Sequence, residues 1–439
     1  MGDAALEITD KLWDGEMSVE QVHPVAINSG LDEVAPGIAF ITAFGNVTGV
    51  VAGGSLVLID TGSQFLARAN HDRMRAWTDL PVEAALYTHG HVDHVFGLGP
   101  YEEEANAAGR PAPRVIAHEL VSARFDRYRL TAGYNAVINA RQFKIPGLQW
   151  PTEYRYPDET YGLRHDVEVG GERFELHHGK GETDDHTWIW MPDRRAVCTG
   201  DLFIWASPNC GNPQKVQRYP RDWALALREM EVLEPELLLP GHGWPIAGAD
   251  RVRRALTDTA DLLDSLVDQT LDLMNAGARL DDIVHTVRAP ADLLDRPYLR
   301  PVYDEPEFVV RTVWRLYGGW YDGNPAHLKP APEAELAREL AQLAGGAARL
   351  ADRAHELAMS SNEPGALRLA GHLAELAAQA APDDAGVQRV RAEVFGRRAA
   401  EELSTMSKGV FSWAADESQA HLAELGEPDE PGRTGEPDG

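Results

Sequence analysis

Ten residues, Thr88 to Gly97 (THGHVDHVFG), constrain this chain more than any other stretch. Four side chains able to bind a metal, His89, His91, Asp93 and His94, fall within six positions. Just upstream, residues 82–87 (VEAALY) form a short apolar run that predicts a buried strand. The cluster then sits on the turn leaving a strand's C-terminal end, where α/β sheets hold their ligands. Neutral imidazoles suit zinc, iron or similar ions, and a carboxylate among them can bind a second ion or orient a water. A solvated polar loop is the bland alternative. Several uncommon residues at fixed offsets, with further ligand types downstream, argue against it.

The run His89-Gly90-His91-Val92-Asp93-His94, with Asp60-Thr61-Gly62 upstream, resembles the signature of the metallo-β-lactamase superfamily, and the resemblance covers the first half of the chain. It implies an α/β fold, an αββα sandwich with a one- or two-metal site at one edge. Asp60 is either a buried support for the metal loop, as the resemblance implies, or a cap on the helix starting near Gln64. Where the superfamily usually carries His-Thr-x-Gly-His, this chain has residues 177–186, HHGKGETDDH. Aligning Thr183 puts Glu182 at the metal-ligand position and His186 at the second histidine; His186 or His178 filling the vacancy is the rival reading. The Thr199-Gly200-Asp201 run makes Asp201 the carboxylate shared by two ions, and Gly241-His242-Gly243 supplies His242. The resemblance thus implies His89, His91 and Glu182 for one ion, Asp93, His94 and His242 for the other, and Asp201 between them. Two divalent ions are expected, zinc first, with manganese or iron also suited to the added carboxylate. Ions so held lower the pKa of a bound water toward ~7, which makes hydrolysis by hydroxide the natural chemistry, with Asp93 and Asp201 as the catalytic carboxylates.

With 439 residues and 44% hydrophobic content, a large core and about three domain-sized units are expected. The net charge of −28, from 69 acidic and 41 basic residues, argues against nucleic acid or an anionic membrane as partner. Cys198 and Cys210 are too few for a disulfide framework. Residues 1–20 lack a basic start followed by an apolar run, no stretch approaches a membrane span, and the chain reads as cytoplasmic.

In chain order, apolar runs at 38–44, 47–52 and 56–59 predict strands, with Gly53-Gly54 as a hairpin turn. Helices are expected over 65–78 and after the metal loop, a strand at 114–117, and helical structure over 119–143. A second Gly-Gly hairpin, at Gly170-Gly171, joins two alternating runs within 165–177, and strands follow at 187–191, 196–201 and 237–239. Past Gly248 the period changes to that of amphipathic helices, alanine-rich toward the end, as in Leu336, Leu340 and Leu343. There, Asp268-Gln269-Thr270 and the run from Leu316 to Pro325 (LYGGWYDGNP) resemble the helical dimerisation domain of the alkyl sulfatases, which also carry a glutamate at the position of Glu182. The expected organisation is a catalytic domain at 1–270, an all-helical dimerisation domain at 271–425 and a disordered acidic tail at 426–439. A homodimer follows from that resemblance, since isolated amphipathic helices need a partner for their apolar faces.

These residues imply a dinuclear metal-dependent hydrolase of a small hydrophobic ester, similar to the alkyl sulfatases. A carboxylic ester or lactone is the alternative substrate class, and a metal-binding assembly protein the non-enzymatic alternative. The segment after Asp201, residues 202–213, lacks the arginine with which alkyl sulfatases hold sulfate. Lys215 or Arg218 can replace it, Asn135 and Arg141 match an Asn-and-Arg helix of that family, and Trp205 with Phe203 and Trp244 can line an apolar pocket. Core packing accounts for the aromatic residues equally well.

Overall fold

The computed structural model describes residues 4–26, 30–360 and 365–426, so the expected tail lies outside the described residues except for its first residue. Among the described residues thirteen strands form two sheets. The first comprises β1 (Gly30–Ala35), β2 (Ile38–Thr42), β3 (Val47–Ala52), β4 (Ser55–Ile59), β5 (Val82–Leu86), β6 (Arg114–His118) and β7 (Glu159–Tyr161), in sequence order across the sheet. The second comprises β8 (Arg164–Val169), β9 (Glu172–His178), β10 (Thr187–Met191), β11 (Ala196–Ile204), β12 (Leu237–His242) and β13 (Ile246–Ala247). Both glycine pairs act as hairpin turns: Ala52 pairs with Ser55 around Gly53-Gly54, and Val169 with Glu172 around Gly170-Gly171.

Why the strands read as nearly continuous apolar runs follows from what covers them. Phe40, Val50, Val57 and Leu86 of the first sheet pack against Phe174, Leu176, Ile189 and Leu239 of the second, making one buried core between the sheets. The outer face of the first sheet is covered by Met74 of the helix Ala67–Trp77, Tyr101 of the helix Gly99–Ala107, and Val121 and Phe125 of the helix Leu120–Leu130. The second sheet is met by the helices Pro220–Val232 and Ala249–Asn275, whose buried stripes include Trp223, Leu227, Val252 and Leu263. With both faces covered, strands such as β2, β10 and β11 are buried at every position. The result is the expected αββα sandwich.

The chain divides into two compact units, Met1–Asn135 with Trp150–Gly323, and Ala136–Gln149 with Asn324–Gly439. The helix Ala249–Asn275 runs unbroken through residue 270, and the helix Pro306–Tyr317 packs on it. The second unit is helical: Glu333–Ala344, Ala347–Ser360, Ala366–Ala380, Ala385–Glu401 and Thr405–Glu424. Its cores are alanine-rich (Ala354, Ala370, Ala374 with Val394), so the helices are held by close approach of small side chains. Asp384 and Ser404 accept hydrogen bonds from Val387 N and Ser407 N, which caps the last two helices. Among the described residues no helix is long and apolar enough to cross a membrane.

One contact between the sheets makes stability depend on pH. His118, at the end of β6, stacks on His178, at the end of β9, with ring centroids 3.8 Å apart. Burial, then the neighbouring His178 ring, pushes His118 down to about 4. The unfolded chain, with a histidine pKa of about 6.5, binds the extra proton first; stability from this stack is therefore present above that value and is lost as pH falls toward about 4. The loss is expected to be about 1–2 kcal/mol. Comparing melting temperature against pH for the natural protein and His118→Phe checks it: the difference between them should grow between pH 7 and pH 5, and parallel curves would count against it.

Candidate metal centre

Each cluster residue is delivered by a strand end. His89, His91, Asp93 and His94 follow β5, Glu182 follows β9, Asp201 lies within β11, and His242 ends β12. Strands β4, β5 and β6 run parallel, as do β11 and β12, so their C-terminal ends gather on one edge. Two groups of donor atoms result: His89, His91, Glu182 and Asp201, and Asp93, His94 and His242, with donor atoms in each group within 4.8 Å of one another.

Asp201 joins the groups. Its Oδ2 lies 3.6 Å from His89 Nε2, while its Oδ1 lies 3.3 Å from His94 Nε2 and 3.4 Å from His242 Nε2. Asp93 Oδ2 is 3.4 Å from His242 Nε2, and His91 Nδ1 is 3.8 Å from Glu182 Oε1. Close approach here depends on Gly241: a Cβ at that position would stand 2.1 Å from Asp201 Oδ1, so any side chain would push the carboxylate away.

The electrostatics are those of a site built for cations. Burial pushes Glu182 well above the usual carboxylate range, Arg218 opposes this, and Asp201 and Asp93 add to it. Burial alone would raise Asp201 too, but the His242 and His94 imidazoles hold it far below the usual range. Burial pulls His94 down, yet Asp201, Asp93 and Asp60 together carry it well above the ordinary histidine value. His89 and His91 are driven far down by burial and by neighbouring cationic groups, and are neutral. His94 Nε2, Glu182 Oε2 and Asp201 Oδ1 are buried with no hydrogen-bond partner. Such orphans require an explanation, and divalent ions facing imidazole nitrogens and carboxylate oxygens supply one, so the donor set fits the expected metals.

Surrounding residues fix these donors. Asp60 is buried in a left-handed backbone conformation (φ 55°); it accepts from Thr88 N and Thr88 Oγ1, each at 2.7 Å, and lies 2.8 Å from His94 Nδ1. It is a support and not a helix cap. Because a carboxylate only accepts, His94 donates from Nδ1 and turns Nε2 to the cluster. Glu182 is gripped at Oε1 by Asn209 and by Arg218, 3.1 Å away, while its Oε2 is buried with no hydrogen-bond partner. His186 stays outside both groups: its Nε2 accepts from Asp201 N at 3.0 Å, its ring stacks on His89, and burial pushes it down to about 3. His178 Nδ1 lies against His186 O and adds no donor.

The residues read as substrate contacts are placed less uniformly. Arg218 is engaged with Glu182, so its charge serves that carboxylate. Trp205 is fully buried, donates from Nε1 to Trp244 O at 2.6 Å and packs on Trp244 and Tyr298, as the core-packing alternative expects. Phe203 and Trp244 are buried with it. Asn135, the last residue of the first segment of unit one, is buried and donates to Thr131 Oγ1 at 2.8 Å; Arg141 stands further along the helix Ala132–Phe143, within the second unit. Lys215 is half-buried, its Nζ 5.8 Å from the Trp150 ring centroid, with Arg218, Glu182, Asp93 and Arg127 as electrostatic neighbours.

A model of the metallo-beta-lactamase superfamily matches residues 42–242, and one for alkyl sulfatase dimerisation matches residues 279–421. The chain joins a metallo-beta-lactamase superfamily domain to an alkyl sulfatase dimerisation domain. The metallo-beta-lactamase match ends on His242 and so encloses the whole cluster. A linear primary-alkylsulfatase from Pseudomonas sp. is 26% identical over 365 residues, 78% of this chain and 68% of that protein. An (R)-specific secondary-alkylsulfatase from Pseudomonas sp. is 30% identical over 382 residues, and this chain spans 55% of it. The alpha subunit of a 2,4-dinitroanisole O-demethylase from Nocardioides sp. is 23% identical, over 70% of this chain and 82% of that one. Among solved structures, a stereoselective inverting sec-alkylsulfatase from Pseudomonas sp. shares the fold, with a TM-score of 0.79 at 24% identity, covering 89% of this chain and 66% of that one.

Proposed function

We propose that this chain is a dinuclear metal-dependent hydrolase of small hydrophobic esters, with an alkyl sulfate as its foremost substrate. The observation that carries the reading is Asp201, one carboxylate whose two oxygens face two separate donor groups. His89, His91 and Glu182 would hold one ion and Asp93, His94 and His242 the other, with Asp201 available to both. Zinc suits the imidazole-rich set, and the extra carboxylate of Glu182 admits manganese or iron. When bound, the ions supply Lewis acidity and lower the pKa of a coordinated water. Asp93, the most exposed carboxylate of the cluster with 14% of its side chain accessible, accepts a hydrogen bond from the attacking water and orients it. Lys215 takes the anionic head group, because it is the half-buried cation whose neighbours come from both donor groups. The region matched to alkyl sulfatase dimerisation pairs two copies of the chain.

The protein loaded with zinc or manganese should release sulfate from dodecyl sulfate in preference to turning over a long-chain lactone, a phosphodiester or a β-lactam. Lys215→Met should raise KM for dodecyl sulfate about 10–100-fold, the effect of one lost charged hydrogen bond. Lactone turnover without sulfate release would eliminate the sulfatase reading and favour the carboxylic ester class.

A further inference from the structure

Arg124, on the helix Leu120–Leu130, is a buried arginine that touches no member of the metal cluster's donor groups through a hydrogen bond, yet it binds the loop that carries Glu182 and, through Asp185, is tied to the loop that carries His89 and His91. Its Nε donates to Asp185 Oδ2 at 2.8 Å, and its other arm reaches Asp184. The same Asp185 oxygen accepts from Gly90 N at 3.0 Å. Gly90 lies between His89 and His91, and Asp185 lies three residues beyond Glu182. Packing around this junction is tight: a Cβ at Gly90 would stand 2.9 Å from Arg124 Cδ, 3.1 Å from Asp185 Oδ2 and 3.2 Å from Phe125 Cε1.

The second group has a different direct support, since Asp60 pairs with His94; through Thr88, whose Oγ1 lies 3.0 Å from His89 Nδ1, Asp60 also steadies His89. Asp185 is thus the buried carboxylate that joins the two loops of the first group, and Asp60 the one that pairs directly with the second. Asp185 is fully buried, and an isolated buried carboxylate is costly, so the loop junction depends on the arginine that pairs with it.

Resting on the two-ion reading, we propose that Arg124 and Asp185 are positioning residues for the first donor group: by locking the His89–His91 loop to the Glu182 loop, they set the affinity for one ion while leaving the other nearly unchanged. Neither residue takes part in bond making. Loosening the junction spreads His89, His91 and Glu182, while Asp93, His94 and His242 keep the support of Asp60.

The test is metal retention by the full-length chain, dialysed against a graded series of chelator concentrations, with zinc per chain measured at each step and folding checked by circular dichroism. The natural protein should hold two ions. Arg124→Gln and Asp185→Asn should lose one ion at chelator concentrations about 10–100-fold lower, the usual effect of removing a ligand's supporting partner, and keep the second. Arg124→Lys, which retains the charge, should recover part of the loss, and it serves if the Gln variant fails to fold. Folded variants that retain both ions as the natural protein does, or that release both together, would overturn the proposal. A natural protein that takes up no zinc would instead remove the two-ion site on which it rests.

Discussion

Asp201→Ala is expected to abolish turnover, lowering it by more than about 100-fold, because even outer-shell partners of metal ligands cost about 10–100-fold when removed. The expectation follows from geometry. Asp201 is the residue whose carboxylate approaches His89 on one side and His94 and His242 on the other, so its removal takes a donor from both groups at once. Electrostatics point the same way: without it, the negative charge facing two divalent ions falls from three carboxylates, Asp93, Glu182 and Asp201, to two. Local structure has less to lose, since β11 pairs with β10 and β12 through its backbone. Metal per chain should therefore fall while the far-ultraviolet spectrum holds. Activity within a few-fold of the natural protein would show that Asp201 does not bridge. His186→Ala is a useful companion, because His186 carries no donor into the cluster and only braces Asp201 N; its effect should be the smaller of the two.

Much of this is legible in the sequence, and the reasons are local. His89, His91, Asp93 and His94 are read from their spacing, because one loop brings them together whatever the rest of the chain does. Glu182, Asp201 and His242 lie far apart in sequence, and it is the resemblance to the superfamily's motifs, met in the same order, that links them. The strands between Ile38 and Ile59 were readable because Gly53-Gly54 fixes a hairpin. By contrast, the strand Gly30–Ala35 went unseen: it is an edge strand with no fully buried position, so it carries no apolar alternation. Arg124 stood in a run of arginines that had no sequence mark separating a buried partner of Asp185 from a solvated cation. Asn209 and Arg218 gave no sign of gripping Glu182, since such pairs join residues tens of positions apart. Trp205 leaves two readings open for a related reason, as an aromatic side chain reads alike whether it lines a pocket or fills a core.

The account stands on the claim that seven donors hold two ions. A buried array of three carboxylates with orphaned oxygens on Glu182 and Asp201 is unfavourable until cations occupy it, so the protein should purify with metal and resist mild chelation. His91→Ala should take away one ion, because His91 belongs to the first group and makes no contact with Asp93 or His242 among the ion-pair distances of the cluster. Removing all metal should stop ester hydrolysis, and zinc should restore it. Elemental analysis of the natural protein beside His91→Ala is the most direct measurement: close to two transition-metal ions per chain falling to close to one is the predicted result, and unchanged metal content in the variant, or none in the natural protein, would contradict the account.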